Sequence, residues 1–160
     1  IERDLTVLEH NNFDKGYIKV SSDMTNYDLI DEVNKLGWYF KEEFKYTFLH
    51  RPSSPFNAIL FIDIADDKNE TMKDKYCRIF GCCMFENKEI KNHKQWVLEW
   101  VWIHPFFRHR GNLFKYWDML EQQFGDFLIK EPVSCSMKEF LKKVPSKYEH
   151  EEVCNIDLYL

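Results

Sequence analysis

The sequence predicts a mixed α/β (α+β) domain in which a mostly antiparallel sheet is flanked by helices. Three strand-like segments follow one another, a helix-like segment precedes them, and a strand-turn-helix-strand pattern follows. The 160 residues are 44% hydrophobic and 17% aromatic, which is enough for a sizeable core. No internal repeat or linker is visible, so we expect a single domain over residues 1–160.

The first part of the chain predicts one strand and one helix. Residues 17–20 alternate between apolar and polar and indicate an edge strand. After the polar residues 21–23, apolar side chains at helical spacing predict a helix of about four turns that ends at Gly37. Residues 38–49 are aromatic and alternate in part, and the two prolines within residues 50–55 indicate a loop.

Three strands are predicted next, over residues 57–64, 76–85 and 96–103, with polar turns at 65–75 and 86–95. An antiparallel meander is the simplest arrangement for them. The third strand is apolar at every position but one, so we expect it to be central and buried on both faces.

The last part of the chain predicts two helices and two strands. Pro105 ends the preceding strand, and apolar spacing predicts a helix over residues 113–127. A short strand over 133–136, a helix over 137–144 and a final strand over 153–160 follow. The predicted order β-α-β-β-β-α-β-α-β implies a mixed sheet.

Composition excludes several classes of function. A net charge of −5 argues against a nucleic-acid binder, and no apolar run is long enough to cross a membrane. The five cysteines form no C-x-x-C pair, which favours a reducing compartment and a cytoplasmic protein. The six histidines show no metal-ligand spacing, so we expect no metal site.

The most informative segment is the turn over residues 103–113, which joins the third strand to a helix. The first N–H groups of a helix are unpaired and attract anions. Gly111 would let the backbone approach a phosphate closely, and Arg108 and Arg110 could add charge-assisted hydrogen bonds. The alternative is a solvated basic turn with no ligand.

This segment resembles the GNAT acetyltransferase family, in which a strand ends in Val-x-Pro and an Arg/Gln-x-x-Gly-x-Gly/Ala turn leads into a helix. Ile103-His104-Pro105 matches the strand end, Arg108-x-x-Gly111 matches the turn, and Leu113 replaces the last small residue. The resemblance is specific over residues 96–127 and looser over 131–144. It implies a GNAT-type acyl-CoA N-acyltransferase fold, splayed between the fourth and fifth predicted strands, 96–103 and 133–136.

The resemblance further implies an N-acetyltransferase that moves the acyl group of acetyl-CoA, or another acyl-CoA, to an amine on a small molecule or a protein. The pyrophosphate would lie on the turn, and the pantetheine arm would pair with the exposed backbone of the strand. The coenzyme-binding residues so implied are Val101, Trp102, Ile103, Arg108, His109, Arg110, Gly111, Asn112 and Leu113.

Glu99 is the predicted general base, because it is the one charged residue in an apolar strand and burial would raise its pKa. The alternative is a carboxylate paired with a nearby Lys or Arg. His104 is a second candidate base or a water-mediated relay; the alternative is a turn residue that hydrogen-bonds to the backbone.

A general acid is not evident. Leu141 stands where many family members carry a tyrosine, so Ser134, Ser136 or Tyr148 would have to substitute, although a thiolate leaves without a dedicated acid. Cys135 has no nearby His or Lys, and we interpret it as a small buried residue rather than a nucleophile.

Two rival functions stay open. One is an interaction module of the same fold that binds acyl-CoA or nothing, and the other is an acyltransferase for protein lysines, as in the cohesin acetyltransferases. The acceptor would be set by residues 38–55 and 65–75, and the acidic surplus favours a cationic acceptor. The oligomeric state, including a homodimer, is left open.

Overall fold

The computed structural model describes residues 2–4, 15–45, 55–65 and 76–144. Within these residues one sheet of six strands is accompanied by three helices. The strands are β1 (Glu2–Asp4), β2 (Tyr17–Ser21), β3 (Phe56–Ala65), β4 (Tyr76–Ile90), β5 (His93–Ile103) and β6 (Leu128–Ile129). The helices are α1 (Tyr27–Phe44), α2 (Asn112–Phe124) and α3 (Cys135–Leu141), and a 3-10 turn spans Pro105–Phe107.

The strand order is β2-β3-β4-β5-β6, and β1 pairs with the beginning of β4. All neighbours are antiparallel except β5 and β6, which are parallel. One core cluster packs the sheet against α1, and a second packs its other face against α2 and α3. The predicted fold class is therefore confirmed: a mixed, mostly antiparallel sheet flanked by helices.

A β-bulge in β5 changes which face its side chains occupy. Met84 pairs with Trp100 and Phe85 with Leu98, so Glu99 is an extra residue in the register between β5 and β4. Leu98 therefore packs in the cluster under α2 and α3, whereas Trp100 packs under α1. Without the bulge, residues two apart would share a face. As expected from its apolar sequence, β5 is buried on both faces through its middle.

The predicted end of the first helix at Gly37 is wrong, because α1 continues to Phe44 and ends in a left-handed Lys45. Gly37 lies against the sheet instead. A Cβ added there would come within 3.0 Å of the Trp100 ring, so the glycine allows the helix to pack closely on β5. At the other end, the Asn26 side chain accepts a hydrogen bond from the N–H of Leu29 at 3.4 Å and caps the helix.

The polar turn predicted over residues 86–95 is also wrong. β4 and β5 continue through this segment and form a hairpin whose loop contains only Lys91 and Asn92. Both residues have positive φ, 49° and 66°, as a type I′ turn requires. The polar side chains of the segment, including Glu86 and Lys88, therefore belong to strands.

The segment after α2 differs from the prediction in detail. The helix predicted over 113–127 ends at Phe124, where Gly125 takes a positive φ of 67°. The strand lies at Leu128–Ile129 rather than at 133–136, and Ser134 instead caps α3 by accepting the N–H of Met137 at 3.2 Å. The helix predicted over 137–144 thus begins at Cys135. The strand predicted over 153–160 lies outside the described residues.

In the described part of the chain, Cys77, Cys82, Cys83 and Cys135 are all free thiols. The first three are buried, and burial raises the pKa of Cys77 to about 11. Cys135 is exposed at the start of α3, so the prediction that it is buried is wrong.

None of the helices described in the structure is both long and apolar enough to cross a bilayer.

The two-residue hairpin generates a stability prediction. Glycine is the preferred second residue of a type I′ turn, because positive φ carries no steric penalty for it. We expect Asn92→Gly to raise the free energy of unfolding by about 0.5 kcal/mol, measured by urea denaturation. Asn92→Ala is the control and should lower the free energy of unfolding, because alanine is strained at positive φ. An equal effect of the two substitutions would contradict the assigned turn.

Candidate functional site

The sheet opens between β5 and β6. The two strands pair at only two positions, and the last hydrogen bond between them runs from the Lys130 N–H to the Leu98 carbonyl at 3.0 Å. β5 then continues for five more residues to Ile103, with no pairing to β6 beyond Leu98 in the described residues. A gap along the edge of β5 therefore begins beside Glu99 and extends to Ile103, as the predicted splay requires.

The backbone of β5 presents alternate residues to this gap. The His104 N–H donates to the Phe80 carbonyl on β4 at 2.8 Å. Because successive residues of a strand point in opposite directions, the N–H and C=O groups of Trp102 also face β4, whereas those of Val101 and Ile103 face the gap. Of the three backbone positions expected to bind the coenzyme, only two are thus directed toward the open edge.

Glu99 lies at the point where the gap begins, and its side chain is only 1% exposed. Two ammonium groups contact it: Lys88 Nζ lies 2.5 Å from Oε1 and Lys130 Nζ lies 3.0 Å from Oε2. Lys88 Nζ is also 3.5 Å from Oε2 of Glu86, whose side chain is fully buried. Two carboxylates and two lysines therefore form a charge-balanced cluster, which we call the fork cluster.

The charges in the fork cluster stabilise one another. Burial acts to lower the pKa of Lys88, but the hydrogen bond to Glu99 and the charges of Glu99 and Glu86 outweigh it and raise the pKa above its ordinary value of 10.5. Lys88 consequently remains a cation at neutral pH. Glu99 is buried, as predicted. It is also paired with two lysines, which was the alternative to its role as a base.

His104 begins the segment between β5 and α2. Its Nδ1 accepts a hydrogen bond from the Phe106 N–H at 3.2 Å and caps the 3-10 turn Pro105–Phe107. Nδ1 is therefore the unprotonated nitrogen when the ring is neutral, and Nε2 carries the proton. His104 is thus a turn residue that hydrogen-bonds to the backbone, which was the alternative to its role as a base.

Arg108 directs three of its five N–H donors at the protein. Its Nε donates to the Ile103 carbonyl at 2.7 Å, while Nη1 and Nη2 donate to the two carboxylate oxygens of Glu43 at 2.5 and 2.6 Å. The Trp102 indole N–H also donates to Glu43, at 2.9 Å. The hydrogen bond from Arg108 is the largest influence on Glu43 and lowers the pKa of that carboxyl, against the opposing effect of burial.

The remainder of the turn is open. Gly111 precedes α2 with φ of 75°, and a Cβ added there would meet no atom within 4 Å. Its carbonyl accepts the N–H of Lys115 at 2.9 Å, which begins the helical hydrogen bonding. The Asn112 side chain donates to the Phe107 carbonyl at 2.8 Å and fixes the helix start. No side chain caps the first N–H groups of α2, the arrangement in which helices bind anions.

An exposed imidazole, an exposed guanidinium and one apolar side chain complete the turn. His109 has positive φ, 57°, and is exposed. The Arg110 guanidinium lies 4.2 Å from the centroid of the exposed Phe106 ring, a cation–π contact. Leu113 packs against the core under α2, so its large side chain lies in the core.

The candidate general acids are not assembled into a site. Ser134 is used as a helix cap, Ser136 is exposed within α3, and Leu141 is buried. Tyr148 lies outside the described residues. No group of three or more potential metal ligands occurs among the described side chains.

The structure brings the predicted residues together in two places, the fork cluster and the turn. It adds three partners that the sequence analysis missed, namely Glu43, Lys88 and Lys130. Lys88 lies in the segment predicted as a polar turn. Its contact with Glu99 could have been predicted only if that segment had been assigned to the two strands of a hairpin. Glu43 is separated from Arg108 by 65 residues, and no local pattern signals that contact.

No family model and no curated protein matches this chain. Solved acetyltransferase structures are similar to it, which is the kind of protein that the sequence resemblance predicted. An xEco2 acetyltransferase domain is 19% identical with a TM-score of 0.49, covering 83% of this chain and 85% of that chain. The same domain bound to a K105-CoA conjugate is 18% identical with a TM-score of 0.49, covering 73% and 80%.

An aminoglycoside acetyltransferase, meta-AAC0020 from an uncultured soil metagenomic sample, is 12% identical with a TM-score of 0.48. The alignment covers 86% of this chain and 93% of that one. These values describe a general likeness in fold. The function proposed below therefore rests on the residues of this chain.

The Glu43–Arg108 pair generates a prediction for acid stability. Because the folded pKa of Glu43 lies below the ordinary 4.5, its ionised form stabilises the fold above that pH, and the contribution is lost as the pH falls through the folded pKa. We expect Glu43→Gln to lower the free energy of unfolding at neutral pH, with a deficit that shrinks on acidification. Urea denaturation across the acid range measures it, with the exposed Glu42→Gln as control. A deficit that does not change with pH would contradict this assignment.

Proposed function

We propose that this chain is an acyl-CoA-dependent N-acyltransferase of the GNAT type, which transfers an acetyl group from acetyl-CoA to an amine. One observation carries the proposal. An open strand edge, beginning at Glu99, leads directly into a turn that presents the N-terminus of α2 and an unobstructed Gly111. An extended arm ending in a pyrophosphate fits this combination of surfaces.

The turn supplies what a pyrophosphate requires. Backbone N–H groups at the start of α2 and the positive end of its dipole attract negative charge. Gly111 leaves space for a phosphate oxygen to approach the backbone, and the exposed His109 and Arg110 lie beside it. Asn112 supports this surface indirectly, through its hydrogen bond to the Phe107 carbonyl.

The edge of β5 supplies partners for the pantetheine arm. The arm contains amide groups and can pair with a strand as a peptide does. The N–H and C=O groups of Val101 and the N–H of Ile103 face the gap, whereas the Ile103 carbonyl already accepts from Arg108. A backbone N–H on this edge would also hold the thioester oxygen as negative charge develops on it.

Glu99 is the proposed general base. An acceptor ammonium must lose a proton before its nitrogen can attack the thioester carbonyl, and a carboxylate at the start of the gap can take it directly or through one water. The C–N bond then forms and the C–S bond breaks, and CoA leaves as a thiolate that takes up the second proton lost by the nitrogen. Because a thiolate is weakly basic, the absence of a tyrosine at Leu141 is compatible with this reaction.

The acceptor is proposed to be a cationic amine of a small molecule or a protein. The chain carries a net charge of −5, which attracts cations in general. The free thiols among the described residues support a reducing compartment, so a cytoplasmic location is part of the proposal. Nucleic acid and membrane are not among the proposed partners.

A second candidate is a protein of the same fold that binds acyl-CoA without turning it over. The observation that favours it is that Glu99 is held by two lysines and Arg108 by Glu43, so both charged side chains already have partners. Coenzyme binding without acyl transfer to any of a mixed set of amines would identify this candidate.

Gly111 provides the test of coenzyme binding. We expect Gly111→Ala to weaken the binding of CoA and of dephospho-CoA by about tenfold or more, because the added methyl group occupies the space of a phosphate oxygen. Both ligands retain the pyrophosphate, so both should be affected, and calorimetry measures the two affinities.

Gly125→Ala is the matched control, because Gly125 also has positive φ and an added Cβ there also meets no atom within 4 Å. Alanine at the left-handed Gly111 costs about 1–2 kcal/mol in backbone strain. Gly125 has ψ of −147°, a region almost confined to glycine, so alanine there is strained at least as much, but it does not lie at the turn. Absence of CoA binding by the wild-type chain at millimolar ligand would refute the proposed function. Equal affinity of wild type and Gly111→Ala would remove the turn from the site.

Glu99 provides the test of catalysis. We expect Glu99→Gln to lower the acetylation rate by roughly 100-fold or more at neutral pH while leaving CoA affinity nearly unchanged. The loss should shrink as the pH rises, because more of the acceptor is then already neutral. Steady-state kinetics over a pH series measures this.

Glu86→Gln is the matched control, because Glu86 is equally buried and shares Lys88 but lies on β4. We expect it to destabilise the fold without a comparable loss of rate. Near-normal turnover of Glu99→Gln would exclude Glu99 as the base and leave deprotonation of the acceptor to bulk water, because the neutral His104 ring carries its proton on Nε2.

A further inference from the structure

We propose that Arg108 is a positioning residue for the coenzyme turn, held by Glu43, and is not itself a phosphate ligand. The inference rests on the proposed function, since it concerns the same turn. In this assignment Arg108 does not contact the phosphates. It holds the backbone that contacts them.

The hydrogen bonds of Arg108 carry the first step. Its Nε donates to the Ile103 carbonyl, and its two Nη atoms form a bidentate pair with Glu43 at 2.5 and 2.6 Å. Such bidentate arginine–carboxylate pairs are among the strongest side-chain contacts in proteins. These contacts use three of the five N–H donors of Arg108, and a phosphate that took the remaining two would lie close to the negatively charged Glu43 carboxylate.

The position of Glu43 is itself fixed. Its carboxylate accepts the indole N–H of Trp102 at 2.9 Å, and Trp102 is almost fully buried, with its ring centroid 5.5 Å from that of Tyr39 on α1. Glu43 also lies in the last turn of α1, two residues before the C-cap Lys45. The carboxylate is therefore preorganised to receive Arg108, rather than meeting it by chance at the surface.

The pair acts on the turn through the backbone. Arg108 joins the end of β5, through the Ile103 carbonyl, to the end of α1. Two non-adjacent residues that follow, His109 and Gly111, both have positive φ. A left-handed residue other than glycine is unfavourable by itself, so its conformation must be maintained by its surroundings. Arg108 maintains it from one end and the Asn112–Phe107 hydrogen bond from the other.

This assignment leaves Arg110 as the arginine available to the phosphates. Its guanidinium is exposed and stacks on the exposed Phe106 ring, which orients it without using its hydrogen-bond donors in an ion pair. The two arginines of the turn thus have separate tasks, and they can be separated experimentally.

The experiment measures CoA affinity by calorimetry at low and high salt for Glu43→Gln, Arg108→Gln, their double variant and Arg110→Gln. We expect the first two to weaken binding by a similar factor of about tenfold, and the double variant to bind no more weakly than Arg108→Gln, because both remove one interaction. Their salt dependence should match that of wild type. Arg110→Gln should weaken binding and flatten the salt dependence, since it removes an ion pair with the ligand.

A direct phosphate contact from Arg108 predicts the opposite pattern. Glu43→Gln would then release the guanidinium and tighten CoA binding, and Arg108→Gln would flatten the salt dependence as strongly as Arg110→Gln. Either result would overturn the proposal.

Hydrogen exchange of the ligand-free protein supplies an independent measurement. We expect the backbone N–H groups of residues 109–113 to exchange faster in Glu43→Gln than in Glu42→Gln, which alters a neighbouring exposed carboxylate without a role in the turn. Unchanged exchange would overturn the positioning role. If the wild type binds no CoA but hydrogen exchange is faster in Glu43→Gln than in Glu42→Gln, the proposed function is refuted, while the ordering of the turn by Glu43 and Arg108 is supported.

Discussion

The bulge at Glu99 determines how the sheet is built around the candidate site. On one side of this residue β5 pairs with β6 and packs toward α2 and α3; on the other its tryptophans pack toward α1 and its far edge is free. A one-residue change in register exchanges the two faces of a strand. The single extra residue therefore turns Trp100 and Trp102 toward α1 while Val101 and Ile103 pack against the other cluster, and it places a carboxylate where the sheet opens.

Charge within the site is balanced before any ligand arrives. The fork cluster contains two acids and two lysines, and the turn's Arg108 is matched by Glu43. Buried charges are costly unless they are paired, and these pairs meet that requirement close to an opening in the sheet. The same pairing holds the charged groups in fixed positions, which is what a site needs in order to act on a ligand without rearranging.

The sequence predicted the elements whose signal is local. Alternation located most strands, the apolar run around Glu99 identified a buried β5, and Gly111 marked the start of α2. The prediction was wrong where one residue type is common in two kinds of local structure. Gly37 packs a helix closely on Trp100 instead of ending the helix, and Ser134 caps a helix instead of lying in a strand. The sequence could not identify Glu43 or Lys130 as partners, because those contacts depend on tertiary folding and leave no periodic pattern.

The contact between Glu43 and Arg108 has a consequence for the order of folding. The two residues are 65 positions apart, so the bidentate pair closes a long loop that contains the whole β3-β4-β5 meander. Local turns and hairpins form quickly, whereas contacts of this separation wait until the intervening strands have assembled. The turn's final geometry is therefore completed only after α1 has docked on the sheet, and an isolated fragment spanning β5 and α2 lacks the carboxylate that holds Arg108.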